Sequence, residues 1–243
     1  MWTSSVKSSV VSSPRLARDH KTMCRFLMMR SEASLRPTGL LEKFADMASR
    51  SRSPDGDRQA DGWGVAWLDE RGGWIVRKSP NPIWTETRAF SNIPPCQTLA
   101  AHVRSASFPD HKGVVEFNQP FLAGSYAFVF NGLLQGVSFP FPVEGRIGSQ
   151  KIWSLLQGSM NGGGPAAGIA ALVRQLESRA REIQALNLGL FKDRRLFVYC
   201  RQTEAGTYYR LQAHRSPTLT LVCSEPLAGR PWQSVPLNVV LEL

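Results

Sequence analysis

The chain has 243 residues, of which 42% are hydrophobic and 20% charged, as suits a globular protein with one generous core or two small ones. Its longest apolar runs, at 122–130 and 235–243, fall far short of the ~20 residues that a spanning helix needs. The formal net charge is +10, but the arginines are scattered and no basic helix stands out. We read that as weak electrostatic stickiness, with no specific nucleic-acid partner and no membrane.

Residues 1–23 differ from the rest. They are serine-rich, with four Lys or Arg, one Asp and no continuous apolar core. That is a poor secretory signal. An organelle transit peptide, a short propeptide and an upstream extension from a misplaced start codon all fit the composition. The last is favoured because Met23 stands directly before Cys24. Translation from Met23 would need only removal of the initiator methionine to expose Cys24. Disorder is expected over 1–23, and a single domain over 24–243.

Residues 24–29 are apolar and compact and predict a buried strand. Leu40, Leu41, Phe44 and Met47 then recur at helical spacing after Thr38 and Gly39. Residues 49–59, with Pro54, Asp55 and Gly56, predict a loop. Strands at 64–68 and 74–78 flank a hairpin turn at 69–73. Residues 98–104 predict a further strand, and 121–130 another, ended by Asn131-Gly132, a common turn dipeptide. A helix begins near Gly148, with Ser149 as its cap and Ile152, Leu155 and Leu156 on one face. After a break at 162–164, Pro165 suits a first helical turn. Ile169, Leu172, Val173, Leu176, Ala180 and Ile183 trace the stripe of a second helix. The remaining strand candidates are 196–200, 207–211, 219–222 and 235–240. Hairpin-like strands outside two central helices are not the alternation of a dinucleotide-binding fold.

Four cysteines, at 24, 96, 200 and 223, make no CxxC pair. Nothing marks secretion, so free thiols and a cytoplasmic location are expected. His102, His111 and Cys96 fit no zinc signature, and no metal ligand is assigned.

Six stretches stand out together. They are Met23-Cys24-Arg25, Asp61-Gly62-Trp63-Gly64, the run from His102 through Arg104 to Ser107, Asn118-Gln119-Pro120-Phe121, Phe130-Asn131-Gly132, and Ser224-Glu225-Pro226-Leu227 followed by Trp232. In their order and spacing the chain resembles the class II glutamine amidotransferases. It is most similar to their stand-alone branch, the YafJ-like and ergothioneine-biosynthesis-type amidohydrolases. The resemblance implies an α+β chain with the four-layer αββα fold of N-terminal-nucleophile hydrolases, working without a cofactor. The substrate would be a small-molecule amide, glutamine or a γ-glutamyl compound, cleaved through a thioester. With no synthase domain attached, ammonia would pass to a separate synthase or simply be released. A catalytically weak binding or regulatory protein that retains the fold is the alternative.

By that resemblance Cys24 is the nucleophile. An α-amino group has a reference pKa of about 7.7–8.0 and a thiol about 8.5, so nucleophile and base would share one residue. Asn131 and Gly132 would supply the oxyanion donors. Arg104 would hold the substrate α-carboxylate with its guanidinium fork. His102, two residues earlier and on the same strand face, would support the pocket rather than act as a base. Asp61, Gly62, Trp63 and Gly64 would wall the substrate's amino-acid end, with the glycines permitting close backbone approach. Asn118 and Phe130 would support the site. Ser224 and its neighbours read as structural. Two stretches depart from the family pattern: Phe130 stands where His usually precedes Asn-Gly, which alters a supporting contact but leaves the proposed oxyanion donors, and Gly148-Ser149-Gln150 stands where Asp-Ser-Glu is usual, so the anion that would meet the substrate's α-ammonium is missing. Glu144 could substitute, the substrate could lack a free α-ammonium, or activity could have been lost.

Overall fold

The computed structural model describes residues 23–51, 56, 58–203 and 208–243. The expectation of disorder over 1–22 lies outside those residues. Met23 itself is ordered and buried.

Two antiparallel sheets carry the chain. The first has seven strands: β1 (Arg25–Leu35), β2 (Trp63–Leu68), β3 (Trp74–Ser79), β4 (Cys96–Val103), β9 (Gln212–Arg215), β10 (Leu219–Cys223) and β11 (Gln233–Ser234), in the order β11-β9-β10-β1-β4-β2-β3. The second has five: β5 (Phe121–Ala123), β6 (Tyr126–Gln135), β7 (Glu182–Lys192), β8 (Arg195–Gln202) and β12 (Val240–Glu242), in the order β12-β8-β7-β6-β5. Among the described residues three α-helices accompany them: α1 (Thr38–Arg50), α2 (Gly148–Ser159) and α3 (Gly164–Arg179). Among the described residues no helix is long and apolar enough to cross a membrane.

Period-two alternation sorts the strand side chains into separate cores. Leu27 and Met29 of β1, with Leu99, Ala101 and Val103 of β4, join Leu41, Phe44 and Ala48 of α1. The intervening Phe26, Met28 and Ala100 face the other way and meet Ala127, Val129, Phe191 and Val198 from the second sheet. Phe128, Leu186, Leu188 and Phe197 pack on the opposite face of that sheet, against Ile152 and Leu156 of α2 and Ile169 and Leu172 of α3. A Cβ at Gly189 would collide with the sulfur of Met28 and lie 3.2 Å from Val129, so this glycine lets the sheets close on one another.

Several local expectations change. Asn131-Gly132 is no turn: it sits mid-strand in β6, and the chain reverses at Gly124 and Ser125 instead. Pairing with β7 over ten residues of β6 outweighs the local turn preference of that dipeptide. Ile183 belongs to β7, and α3 ends at Arg179. An apolar run buried on both faces reads the same in either periodicity, which hid this strand. The strand expected at 207–211 starts later, at Gln212, and of that expected at 235–240 only Val240 is in a strand, the first residue of β12; β11 ends before it, at Ser234. Ser149 lies inside α2; the Gln150 carboxamide caps it, accepting from the backbone N–H groups of Arg146 (2.9 Å) and Ile147 (3.4 Å). Residues 52–55 and 57 of the loop expected at 49–59 lie outside the described residues, and α1 continues to Arg50.

Phe44 is fully buried where α1 meets the first sheet. Phe44→Ala is expected to cost about 3–5 kcal/mol, read as a lowered midpoint in denaturant titration with little change in slope.

Candidate functional site

The β1–β4 ladder sets the site. Phe26 pairs with His102 and Arg25 with Val103, which carries Cys24 to the end of the ladder opposite Arg104 and Ser105. The backbone continues beyond the strand: Arg104 N–H donates to Gly62 C=O at 2.8 Å, and Asp61 N–H donates to Arg104 C=O at 3.0 Å. The Ser105 N–H points at the Cys24 Sγ, 3.5 Å away, and the thiol lies 3.7 Å from the Ser105 carbonyl. Parity places Cys24, His102 and Arg104 on the sheet face turned toward the second sheet. Asn131 on β6 faces back by the same rule, in step with Ala127 and Val129.

Cys24 opens onto a cleft of ≈ 690 Å³ that Arg104, Ser105, Asn131 and Gly132 also line. Its thiol is half-buried. Burial raises the thiol above its ordinary 9.0, opposed by the Ser105 amide and the positive charges of Arg104 and Arg25. Arg104 donates through Nη1 to the His111 carbonyl at 2.8 Å, and its guanidinium carbon lies 5.4 Å from the centre of the Phe117 ring. Asn131 is buried, and its Nδ2 reaches the Ser224 Oγ at 3.5 Å while its Oδ1 has no hydrogen-bond partner among the described residues. A Cβ at Gly132 would strike the Phe130 ring and lie 2.8 Å from the Ala185 carbonyl, so only glycine fits between them.

The remaining predicted residues are placed unevenly. Asp61 accepts from Ala106 N–H at 2.7 Å and pairs with Lys112 at 3.4 Å, so it pins the turn that follows Arg104. Gly62, with φ +111, and Gly64 leave room for the 118–119 segment: a Cβ on Gly62 would run into the Asn118 carboxamide, and one on Gly64 into the Gln119 carbonyl. Asn118 then donates to Ser79 C=O at 2.8 Å. The structure does not bring Asp61, Gly62, Trp63 or Gly64 to the cleft wall. Trp63 points to the α1 side, where its Nε1 donates to Glu86 at 2.8 Å and its ring meets Phe90 edge-on. Phe130 lines the cleft, with its backbone clamped on both sides by the Gln119 carboxamide. His102 is fully buried. Glu144, the candidate replacement for the absent acid, borders a separate groove with Lys78, Gln150 and Trp153.

Reading residues alone missed four supports. Gln59 is fully buried and donates to the Met23 carbonyl at 3.1 Å; nothing in its sequence context marks it. Ser105 and Gln119 lie inside two of the six motif stretches, where the residues alone assign them no role. Ser224 was read as structural; it accepts from Phe26 N–H at 3.0 Å as well as from Asn131. Beneath Cys24 the buried Arg25 donates to Glu225 at 2.8 Å, with its guanidinium 3.9 Å from the centre of the Tyr208 ring.

No family model matches the sequence, and no curated protein matches it significantly. Solved structures do share its fold. A glutamine aminotransferase class-II domain protein from Silicibacter pomeroyi is 17% identical over 90% of this chain and 98% of its own, with a TM-score of 0.57. A predicted glutamine amidotransferase from Pseudomonas aeruginosa is 15% identical over 90% of this chain and 96% of its own, at 0.54. The B. subtilis glutamine phosphoribosylpyrophosphate amidotransferase, complexed with ADP and GMP, is 15% identical over 90% of this chain and 47% of its own, at 0.63. The chain therefore spans about half of that last enzyme. The likeness shows the fold alone: an α+β chain with two antiparallel sheets, shared with these neighbours.

Burial, with Arg104 and Lys78 nearby, lowers the pKa of His102 from its ordinary 6.5 to about 3. The unfolded chain therefore binds a proton that the folded chain refuses between those values, and stability rises with pH across that window. It is complete above pH 6.5 and is lost as pH falls toward 3. At about 1.4 kcal/mol per unit the effect is several kcal/mol. His102→Gln is expected to flatten this acid limb in urea titrations run from pH 4 to pH 7.

Proposed function

We propose that this chain is a stand-alone class II glutamine amidotransferase-type amidohydrolase, of the YafJ-like kind, with the four-layer αββα arrangement. The three packed cores, one outside each sheet and one between the sheets, support that layering. The observation that carries the reading is the Cys24 sulfur 3.5 Å from the Ser105 amide, at a cleft that Arg104, Asn131 and Gly132 also line. Its reaction is hydrolysis of the side-chain amide of glutamine or a γ-glutamyl compound, in the cytoplasm. The ammonia goes to a separate synthase or to solvent.

The mechanism follows from the electrostatics. Burial holds the thiol protonated near neutral pH, so attack needs a base. His102 is fully buried and held neutral with a strongly lowered proton affinity, so it cannot serve. The α-amine of Cys24 can, once the residues before it are gone. In the intact chain that nitrogen is tied up in the peptide bond to Met23, whose side chain is buried beside Ala185 and Tyr209 and whose carbonyl is held by Gln59. Removal of Met23 frees the amine and leaves the Gln59 carboxamide beside it. The neutral amine takes the thiol proton as sulfur attacks the amide carbon. Asn131 Nδ2 and the Gly132 N–H stabilise the developing oxyanion, the protonated amine passes its proton to the leaving ammonia, and water then hydrolyses the thioester. Arg104 holds the substrate carboxylate.

The test expresses the full chain and a chain started at Met23, reads the first residue of each by intact mass, and measures ammonia release. Cys24→Ala is expected to abolish release while leaving the circular dichroism spectrum unchanged. Asn131→Ala should lower kcat by about 10²–10³ with little change in KM, and Arg104→Ala should mainly raise KM. Release that survives Cys24→Ala, or that comes from protein still extended before Cys24, defeats the reading. A binding protein that retains the fold is the second reading, favoured by the lack of any carboxylate along the cleft among the described residues; it predicts substrate binding with no ammonia.

A further inference from the structure

The cleft is larger than free glutamine calls for, and its charge is one-sided. Its ≈ 690 Å³ lies within the roughly 300–1,000 Å³ of pockets that take drug-sized ligands. Arg104, Arg146 and Lys151 bring three cations to its lining. Among the described residues no carboxylate joins them. The guanidinium carbons of Arg104 and Arg146 lie 5.4 and 4.9 Å from the centre of the same Phe117 ring. Both guanidinium groups thus lie beside one aromatic ring, and the fork of each matches a carboxylate.

Away from these cations the lining turns apolar, with Leu134, Val137, Phe139, Phe141 and Leu155. The Phe139 and Phe141 rings sit 5.4 Å apart, and Phe141 remains 53% exposed. An open apolar wall of this kind gains from any ligand that covers it. A zwitterionic amino acid matches neither feature. Its ammonium would enter beside three positive charges with no anion to meet it, and it has nothing to lay on the wall.

We propose that the substrate is an N-acylated glutamine: the side-chain amide at Cys24, the α-carboxylate between Arg104 and Arg146, and the acyl chain on the 134–141 wall. This rests on the amide-hydrolase reading above. Acylation removes the positive charge that the cleft cannot pair and supplies the apolar group that it can bury. The overall change is hydrolytic. Water's oxygen becomes bonded to the side-chain carbonyl carbon, the carbon–nitrogen bond breaks, and the products are an N-acylglutamate and ammonia. No oxidant or reductant takes part. Each methylene buried on the wall adds up to about fourfold to kcat/KM.

The experiment measures ammonia release from L-glutamine and its N-acetyl, N-butanoyl and N-octanoyl derivatives, with a preparation whose intact mass places Cys24 first. The acylated amides are expected to exceed free glutamine by about tenfold or more in kcat/KM, rising with chain length. Equal or faster release from free glutamine overturns the proposal and leaves the hydrolase reading standing. Release from no member of the panel overturns both. Gly148→Asp supplies the second arm. A Cβ at Gly148 meets no atom within 4 Å, and an aspartate is favoured in the first turn of a helix. This added anion should swing the preference about tenfold toward free glutamine; an unchanged ratio overturns the charge argument.

Discussion

One register governs the candidate site: Phe26 against His102 in the ladder between β1 and β4. A slip of one residue would turn the odd and even positions of β1 to opposite faces. Cys24 would then point toward the α1 core, and Arg25 would enter the space between the sheets. Several buried contacts oppose the slip. Phe26 N–H and C=O are both engaged by Ser224, and Arg25 is locked to Glu225 and stacked on Tyr208. The same Ser224 hydroxyl reaches Asn131 on the other sheet. The serine that fixes the strand bearing the sulfur therefore also locates the amide proposed to face it.

Burial and charge divide the work around the cleft. Burial raises the Cys24 thiol and lowers His102, so both are held neutral near pH 7. What remains charged is cationic and held in place: Arg104 is fixed by the His111 carbonyl and shares the Phe117 ring with Arg146. On the proposed mechanism the thiol takes its base from its own backbone, and the cations suit an anionic ligand. Met23, buried with its carbonyl on Gln59, stands on that backbone nitrogen, so in the proposed mechanism processing and catalysis meet at one peptide bond.

The glycines around the site act through what they leave out. Gly62 and Gly64 make room for the 118–119 segment, and Gln119 then clamps Phe130. Gly132 fits under the Phe130 ring beside the Ala185 carbonyl. This chain of contacts carries the position of β2 across to β6 without any charged residue. It also explains why the Asp61 to Gly64 stretch bears on the site while Trp63 lies in a different core.

Much of this was legible in the residues. The compact apolar run at 24–29 marked a buried strand and 98–104 a further one, apolar spacing located α1, α2 and most of α3, and two-residue parity put His102 and Arg104 on one face. These features depend on neighbours a few positions away, where periodicity speaks directly. The pairing of β6 with β7 did not show, because Asn131-Gly132 reads as a turn in isolation and β7, buried on both faces, has no alternation to betray it. Nor did the direction of Trp63 or the separation of Glu144 from the cleft. By itself, the amino-acid order determined which side chains have the chemistry and which of them share a strand face. Only the stacking of two sheets decided which faces meet, because contacts between residues a hundred positions apart follow from packing, and packing leaves no local period in the chain.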